Sequence, residues 1–429
     1  MSETFNGIEF KGFSKLSFMQ RLNKLLESES ITQEDYEFLK SGGLKSVQLG
    51  EKFIENTIGY FQLPIGVATQ FCIDDKEFFI PMAVEETSII AAASKTAKWI
   101  KESGSITTEV FGTEIIGQIQ IAKVKNLEKL TTLLQARKKE YIQLVNKEVV
   151  PNLVLRGGGV SDITWRVIDR GDGFQMVVIH VMMNPCDAMG ANLINQVCEY
   201  LKNPLQEQSG EMITMCILSN LVDTKITQAK VQIKVDEELG LKIQEASLFA
   251  ELDPYRAATN NKGVLNGIDP IMIATGNDWR AVEAGIHAYA CREGRYSSIT
   301  RWRYQDGTLE GVFRAPLIVG TVGGVTQLHP MAKMSLRMMR VQSASDLSRV
   351  AAAVGLVQNL GALKALTTVG IIEGHMKLHI KNLTLGAGAT EAEIPLLETK
   401  LEQFLNVKKR ITLSHAIEML QEIRTSQRM

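Results

Sequence analysis

The first residues suited to acid–base chemistry are a pair of carboxylates near the N-terminal quarter of the chain. Glu85 and Glu86 follow the apolar segment FFIPMAV at a predicted strand-to-helix turn. Such a pair can be a solvated corner. It can also contain an acid whose pKa is raised by burial or by the neighbouring like charge. The residues by themselves leave both interpretations open.

A second candidate stretch, DPYRAATNNKGVLNGIDPIMIATGNDWRAVEAG, runs from Asp253 to Gly285. It places Lys262 among small residues, which let a ligand approach the backbone. A lysine that acts as an acid or stabilises an oxyanion needs a nearby group that positions it and sets its pKa. Asp278 is the candidate, because it opens a predicted helix as its N-cap. The alternative is a surface lysine in a turn and an aspartate that only caps.

Two histidines near the C-terminus, His375 and His379, stand four residues apart. The spacing suggests a metal site, but Met376 replaces the glutamate of H-E-x-x-H, and no cysteine or third histidine lies nearby. We therefore predict no metal. A single catalytic histidine at position 375 fits better, because imidazole can give a proton near neutral pH. Gly370 and Gly374 suit the hinge of a mobile flap, and His379 is then structural.

Composition limits the class of protein. The chain has 429 residues, of which 45% are hydrophobic, and a net charge of −1, so we expect two or three domains. It has neither a basic run for nucleic acid nor an apolar run of about 20 residues for a membrane. The five cysteines form no CxxC, which favours reduced thiols. With no signal-peptide core at the N-terminus, we expect a cytoplasmic protein.

Residues 113–219 alternate between strand and helix patterns in the order β-α-β-β-α-β, with the second helix over Asp187 to Leu201. This order is typical of the split βαβ of ferredoxin-like domains, an antiparallel sheet with helices on one face. The G-x-G-x-x-G of a doubly wound nucleotide fold is absent after the first strand. Instead, DAMGAN opens the second helix, whose N–H groups can receive phosphate. Asp187 there is at minimum an N-cap.

Eight motifs follow one another along the chain: ENTIG, VEETS, RGGGVSDI, DAMGAN, DPYRAATNNKG, GNDWRAVEAG, GTVGGV and GHMKLH. Together they resemble class II 3-hydroxy-3-methylglutaryl-coenzyme A (HMG-CoA) reductase over nearly the whole length. The resemblance implies reduction of a thioester to an alcohol by two hydrides from a nicotinamide cofactor. The products are mevalonate and free CoA, or the reaction runs as the reverse oxidation. It also implies a homodimer, or a higher oligomer of dimers, with its site between two chains.

The family's residue roles carry over to the matched positions. Lys262 would stabilise the developing negative charge and donate a proton, held and tuned by Asp278. Glu86 would be a proton donor or relay, and His375 would protonate the departing thiolate. Substrate contacts would come from Ser88, Arg256 and Asn266. Cofactor contacts would come from Asp187, Met189, Gly190 and Asn192.

With the resemblance, the patterns predict an α+β fold. A large mixed α/β substrate domain comprises residues 1–112 and 220–369. A ferredoxin-like NAD(P)-binding domain is inserted at 113–219, and a helical flap spans 370–429, with helices at about 393–405 and 413–423. Local signals add an N-cap at Thr32, a hairpin turn at Gln305-Asp306-Gly307 and a buried helix rich in small residues at 346–369.

The cofactor preference is a separate expectation. Val150 stands where NADH-preferring relatives carry an acid, and Lys147 is close by in sequence. An acid there would bind the ribose and repel a 2′-phosphate, so its absence makes NADPH possible. We expect NADPH or NADH, with NADPH or dual use favoured. The alternative is that Lys147 is only a helix-terminal lysine.

Two other functions share part of this sequence pattern. A non-catalytic CoA-thioester binding protein would share the motifs, but the intact set of Glu86, Lys262, Asp278 and His375 argues against it. An acyltransferase would need a nucleophilic Cys or Ser beside a base, and no such pair is present.

Overall fold

The computed structural model describes residues 4–5, 8–10, 12–368, 380, 382–408 and 410–426, which form a mixed α/β protein with several antiparallel sheets. Strands β1 to β12 are Thr4–Phe5, Ile8–Glu9, Ile65–Ile73, Lys76–Ala83, Gly104–Phe111, Ile115–Ile121, Gly159–Asp169, Gln175–Asn184, Met215–Leu218, Ile226–Lys234, Thr300–Gln305 and Thr308–Pro316. Helices α1 to α14 are Phe18–Glu27, Gln33–Lys40, Ile89–Ser103, Leu127–Glu148, Pro151–Val154, Ala191–Ser209, Glu237–Leu252, Pro254–Ala274, Trp279–Ala290, Gly324–Leu328, Pro330–Met339, Ala344–Thr367, Ile394–Lys408 and Leu413–Ser426.

The largest hydrophobic core surrounds α12, the small-residue helix predicted from the sequence. It packs beside an antiparallel sheet of order β11-β12-β10-β5. Its small side chains let α8 come very close: a Cβ at Gly267 of α8 would lie 2.8 Å from the carbonyl oxygen of Val354. Only glycine fits such a contact with backbone. By length and composition α12 could cross a membrane, but 67% of its most apolar window is buried inside the structure, as in a core helix.

A buried polar network fixes the rotation of α8. The Asn260 amide nitrogen donates to Ser298 Oγ at 2.8 Å, and its oxygen accepts from the amide of Asn359 at 2.8 Å. The indole N–H of Trp302 donates to Asn359 Oδ1 at 2.8 Å. Because a buried polar group left unpaired costs about 1–3 kcal/mol, turning α8 about its axis would be expensive. The network therefore determines which residues of α8 face outward.

A second antiparallel sheet has the order β7-β8-β6-β9, and α4 and α6 contribute to its own core. The element order from β6 to β9 is the one the sequence predicted. The predicted bounds of α6 are wrong at both ends. The helix begins at Ala191 after Gly190, which has φ 89°, and it continues past Pro204 to Ser209 before Gly210 ends it in the left-handed region.

Several local predictions are confirmed. Thr32 caps α2 through a capping box. The β11–β12 hairpin turns at Asp306 and Gly307, which have φ 48° and 77° as a two-residue type I′ turn requires. The two C-terminal helices, α13 and α14, pack together around their own small core. Lys262, by contrast, lies within α8 and not in a turn.

Candidate active site

Glu86 and Lys262 meet across 176 residues of sequence. The Lys262 Nζ lies 3.2 Å from Glu86 Oε2, and the two side chains are 63% and 44% exposed. Glu86 lies in the turn between β4 and α3, and Lys262 extends from the open face of α8. An ion pair this exposed contributes only about 0–1 kcal/mol to stability. The pair is therefore better suited to meeting a ligand than to holding the fold together.

Ser88 lies two residues after Glu86, at the N-cap position of α3. Its φ is 78°, an unfavourable value for a residue with a Cβ, and its side chain does not cap the helix. The hydroxyl oxygen is buried with no hydrogen-bond partner among the residues described. A strained backbone and an unsatisfied hydroxyl beside an exposed ion pair are features of ligand-binding positions.

Arg256 and Asn266 lie on the same helix as Lys262. Asn266 is four residues after Lys262, so the two share a face of α8. Arg256 is half-buried, and burial lowers its pKa, although a guanidinium keeps its charge. None of the ion pairs formed within the described residues involves Arg256. Its charge is thus available to an anionic ligand.

Asp278 is the N-cap of α9, as the sequence predicted. Its Oδ1 accepts from the backbone nitrogens of Arg280 at 3.1 Å and Ala281 at 3.2 Å, and it lies 3.2 Å from Arg280 Nε. No hydrogen bond or ion pair joins it to Lys262 in the part of the chain described. Lys262 is twelve residues before the end of α8, about 18 Å along a helix axis. Asp278 follows the C-terminal end of α8 by four residues, so it lies beyond the end of the helix that is distant from Lys262.

The loop before α6 and the first turn of that helix contain the predicted cofactor residues. Gly190 precedes the helix and no side chain caps it, so the first N–H groups of α6 are free of a side-chain acceptor. This fits an anion such as a pyrophosphate. The predicted capping of α6 by Asp187 is wrong. Its carboxylate accepts from the backbone nitrogen of Ala344 at 2.9 Å, the first residue of α12. Met189 is half-buried and Asn192 is exposed.

Gly320 joins this loop to the start of α9. Its nitrogen donates to Asn277 Oδ1 at 2.8 Å, and its carbonyl oxygen accepts from Asn277 Nδ2 at 3.1 Å. A Cβ at Gly320 would lie 2.6 Å from the Met189 nitrogen. The next residue, Thr321, donates its N–H to the Asp187 carbonyl at 2.9 Å. Asp278, beside Asn277, is therefore held next to the loop before α6.

Sequence reasoning missed three ionisable groups, of which Lys225 is buried and Asp269 and Glu283 are half-buried. Lys225 is 4% exposed; burial lowers its pKa, and the nearby Asp187 opposes that shift. Asp269 and Glu283 bring two carboxyl groups together between α8 and α9. One signal was available: Asp269 follows Lys262 by seven residues, two helical turns on one face. Nothing in the local pattern marked Lys225 or Glu283.

The remaining predicted positions are the two C-terminal histidines and the residues linked to cofactor preference. His375 and His379 lie outside the described residues. Within the described residues, no group of three or more His, Cys, Asp or Glu is arranged to hold a metal ion. Val150 is 3% exposed and packs into the core of the second sheet, so its side chain does not face a ligand. Lys147 is 82% exposed and lies 3.0 Å from Glu148.

Comparisons with known proteins agree on one family. The family model described as hydroxymethylglutaryl-coenzyme A reductase matches residues 17–380. A 3-hydroxy-3-methylglutaryl-coenzyme A reductase of Archaeoglobus fulgidus is 42% identical over 419 residues, which are 96% of this chain and 94% of that protein. A probable reductase of Borreliella burgdorferi is 34% identical and covers 77% of each chain.

Solved structures agree as well. The reductase of Streptococcus pneumoniae superposes with a TM-score of 0.82 at 36% identity, covering 97% of this chain and all of that one. The class II enzyme of that organism, bound to NADPH in open conformations, superposes with a TM-score of 0.81 over 84% of this chain and 100% of that chain. The chain therefore belongs to the hydroxymethylglutaryl-coenzyme A reductase family and is an enzyme of that type.

Proposed function

We propose that the chain reduces HMG-CoA to mevalonate and free CoA at the Glu86–Lys262 pair. The observation that supports this proposal is the 3.2 Å contact between those two side chains, within a chain of this family. Two equivalents of NADPH or NADH, bound one after the other, would each supply one hydride. The reaction also takes up two protons, so the chain's own residues must deliver protons and stabilise charge.

Lys262 performs the charge-stabilising role. Its ammonium lies where it can meet the thioester carbonyl oxygen as negative charge develops there, and it donates a proton to that oxygen. Glu86, in contact with the amine, relays a proton back to it. As the hydroxyl of the hemithioacetal returns its proton to the Lys262–Glu86 pair, the carbon–sulfur bond breaks and an aldehyde forms. The departing thiolate takes a proton from His375, and the aldehyde left behind is reduced at the same lysine.

The substrate's carboxylate pairs with Arg256, which has a charge but no acidic partner of its own in the described residues. Ser88 donates its unsatisfied hydroxyl, and Asn266 adds an amide on the Lys262 face of α8. These contacts orient the thioester carbonyl toward Lys262. Positioning of this kind supplies a large part of many enzymatic rate enhancements.

The cofactor lies along the uncapped N-terminus of α6, with Asp187, Met189, Gly190 and Asn192 in contact. In this arrangement a ferredoxin-like nucleotide-binding domain at 113–219 is inserted into a large substrate domain formed by 1–112 and 220–369. A flap spans 370–429. The binding of NADPH by the S. pneumoniae relative supports NADPH or dual use. Val150 is buried, so any preference for the 2′-phosphate rests on Lys147.

The active enzyme is a homodimer, or a larger assembly of dimers, in the cytoplasm. Within one chain, Asp278 lies beyond the end of α8 that is distant from Lys262. The aspartate that tunes the lysine therefore comes from the second copy. Apolar side chains are also strongly exposed, with Ile58 102%, Phe61 92% and Tyr255 88% accessible. Exposed apolar groups of this size favour association. A chain that sediments as a fully active monomer would contradict the shared site.

Absorbance of the reduced nicotinamide tests the function and the cofactor together. With HMG-CoA present, we expect the band to fall with NADPH and also, more slowly or equally, with NADH. Lys147→Ala should lower kcat/KM for NADPH by roughly tenfold and leave NADH unchanged, because one phosphate contact is lost. Lys139→Ala, an exposed lysine on the same helix, is the control. No absorbance change with either cofactor would favour the CoA-thioester binding protein instead.

The role of His375 is separable by substrate. His375→Gln should slow HMG-CoA reduction by about 10²-fold or more, because the thiolate no longer receives its proton. Reduction of added mevaldehyde, which has no thiolate to release, should continue near the wild-type rate. His379→Gln should resemble the wild type in both assays. Equal losses with HMG-CoA and mevaldehyde would rule out the thiolate role.

A further inference from the structure

The carboxyl pair between α8 and α9 has no role in the steps above. Asp269 lies seven residues after Lys262 and three after Asn266, so all three share one face of α8. Glu283 reaches it from the second turn of α9, within hydrogen-bonding distance. One oxygen of Asp269, Oδ1, is fully buried with no hydrogen-bond partner among the residues described. The pair therefore lies about two helical turns along α8 from Lys262, on the same side of the helix.

Two carboxyl groups can hydrogen-bond to each other only when one of them carries a proton. Burial and the neighbouring Glu283 together raise the pKa of Asp269 well above its usual range, and the positive charge of Lys262 opposes that rise. Among the described residues, Glu283 and Lys262 are the ionisable groups that contribute to this shift. At neutral pH the pair thus holds one proton and one negative charge.

We propose that Asp269 and Glu283 are positioning residues for the reductase reaction, sharing one proton and placing a single negative charge behind Lys262. The protonated pair lets α9 pack against α8 and leaves the ammonium free to contact Glu86. Loss of the shared proton would put two like charges between the helices. The doubled charge would push α9 away and draw Lys262 back from Glu86. This inference depends on the catalytic role proposed for Lys262.

A stability experiment tests the shared proton without reference to catalysis. A raised carboxyl pKa means that the folded chain keeps a proton which the unfolded chain has released. Stability then falls as pH rises between the unfolded and the folded pKa, and the fall ends above the folded pKa. We expect the Tm of the wild type to decrease between about pH 4 and pH 8 from this source. Asp269→Asn should remove most of that decrease.

Two further variants sharpen the stability result. Lys262→Met removes the charge that opposes the raised pKa, so the Tm decrease should extend to higher pH. Glu211→Gln is the matched control, because Glu211 is a 4% exposed carboxylate, distant in sequence from the pair, that accepts from the backbone nitrogens of Lys125 and Asn126 just before α4. It should lower Tm and keep the wild-type slope with pH. If Tm fell with pH as steeply in Asp269→Asn as in the wild type, the proposal of a shared proton would be wrong.

The pH profile of kcat tests the coupling to the reaction. The wild type should lose activity on the alkaline side as the pair ionises, and Asp269→Asn should move that limb upward by about one pH unit or more. Glu283→Gln should do the same, which guards against failure of the first variant to fold. A purely structural role would lower kcat at every pH without moving the limb, and that result would overturn the proposal. If Lys262→Ala stays active, the proposed function fails while the Tm result stands.

Discussion

Lys262→Ala should lower kcat by roughly 10³-fold or more while the chain stays folded. Removing a single preorganised donor from an oxyanion site typically costs about 10²–10³ in kcat, and Lys262 is assigned a proton transfer as well. Its side chain is 63% exposed and its ion pair with Glu86 is open to solvent. We therefore expect the free energy of unfolding to change by no more than about 1 kcal/mol.

The measurement combines nicotinamide absorbance with thermal unfolding. Lys242→Ala is the matched control, because Lys242 is also a helix lysine in an exposed ion pair, 2.6 Å from Glu238. It should keep both wild-type kcat and wild-type Tm. Lys262→Arg keeps the charge but not the compact ammonium, so it should recover only a small part of the rate. Full activity in Lys262→Ala would remove the basis of the proposed mechanism.

Glu86→Gln should be the second most damaging change, lowering kcat by about 10²–10⁴-fold because an amide cannot relay a proton. Substrate binding should change less than kcat, since the amide can still contact the Lys262 amine. The same variant should leave the Tm near that of the wild type, because the side chain is 44% exposed.

Glu85→Gln is the natural control for Glu86. The two residues are adjacent in the same turn, and both are exposed. Among the described residues, only Glu86 has an ion pair with Lys262. We expect Glu85→Gln to retain wild-type kcat. If the two glutamine variants lost activity equally, the effect would belong to the turn and not to the relay.

The sequence alone predicted features that depend on neighbouring residues. The capping of α2 by Thr32, the capping of α9 by Asp278 and the hairpin turn at Asp306 depend on interactions within a few residues. The small-residue pattern of α12 likewise predicted a buried helix. Eight motifs in order also identified the family, and with it the candidate residues. None of these inferences required knowledge of which distant segments meet.

The tertiary structure decided which distant groups come together. Spacing left Glu85 and Glu86 equivalent, and only the packing of α8 beside the β4–α3 turn brings Glu86 to Lys262. Asp187 was predicted to cap its own helix but binds the start of α12, because that N-terminus lies against the loop. Glu283 carries no local signal and becomes notable only opposite Asp269.

The physical reason is the range of the interactions. Caps, turns and helical faces depend on backbone geometry over about one or two helical turns, so the residues that determine them are close together in the sequence. Side-chain pairs between elements depend on how helices and sheets pack, here set by glycine contacts and the Asn260–Asn359–Trp302 network. Packing of that kind arises from the whole core at once, so residue spacing alone could not show which of Glu85 and Glu86 meets Lys262.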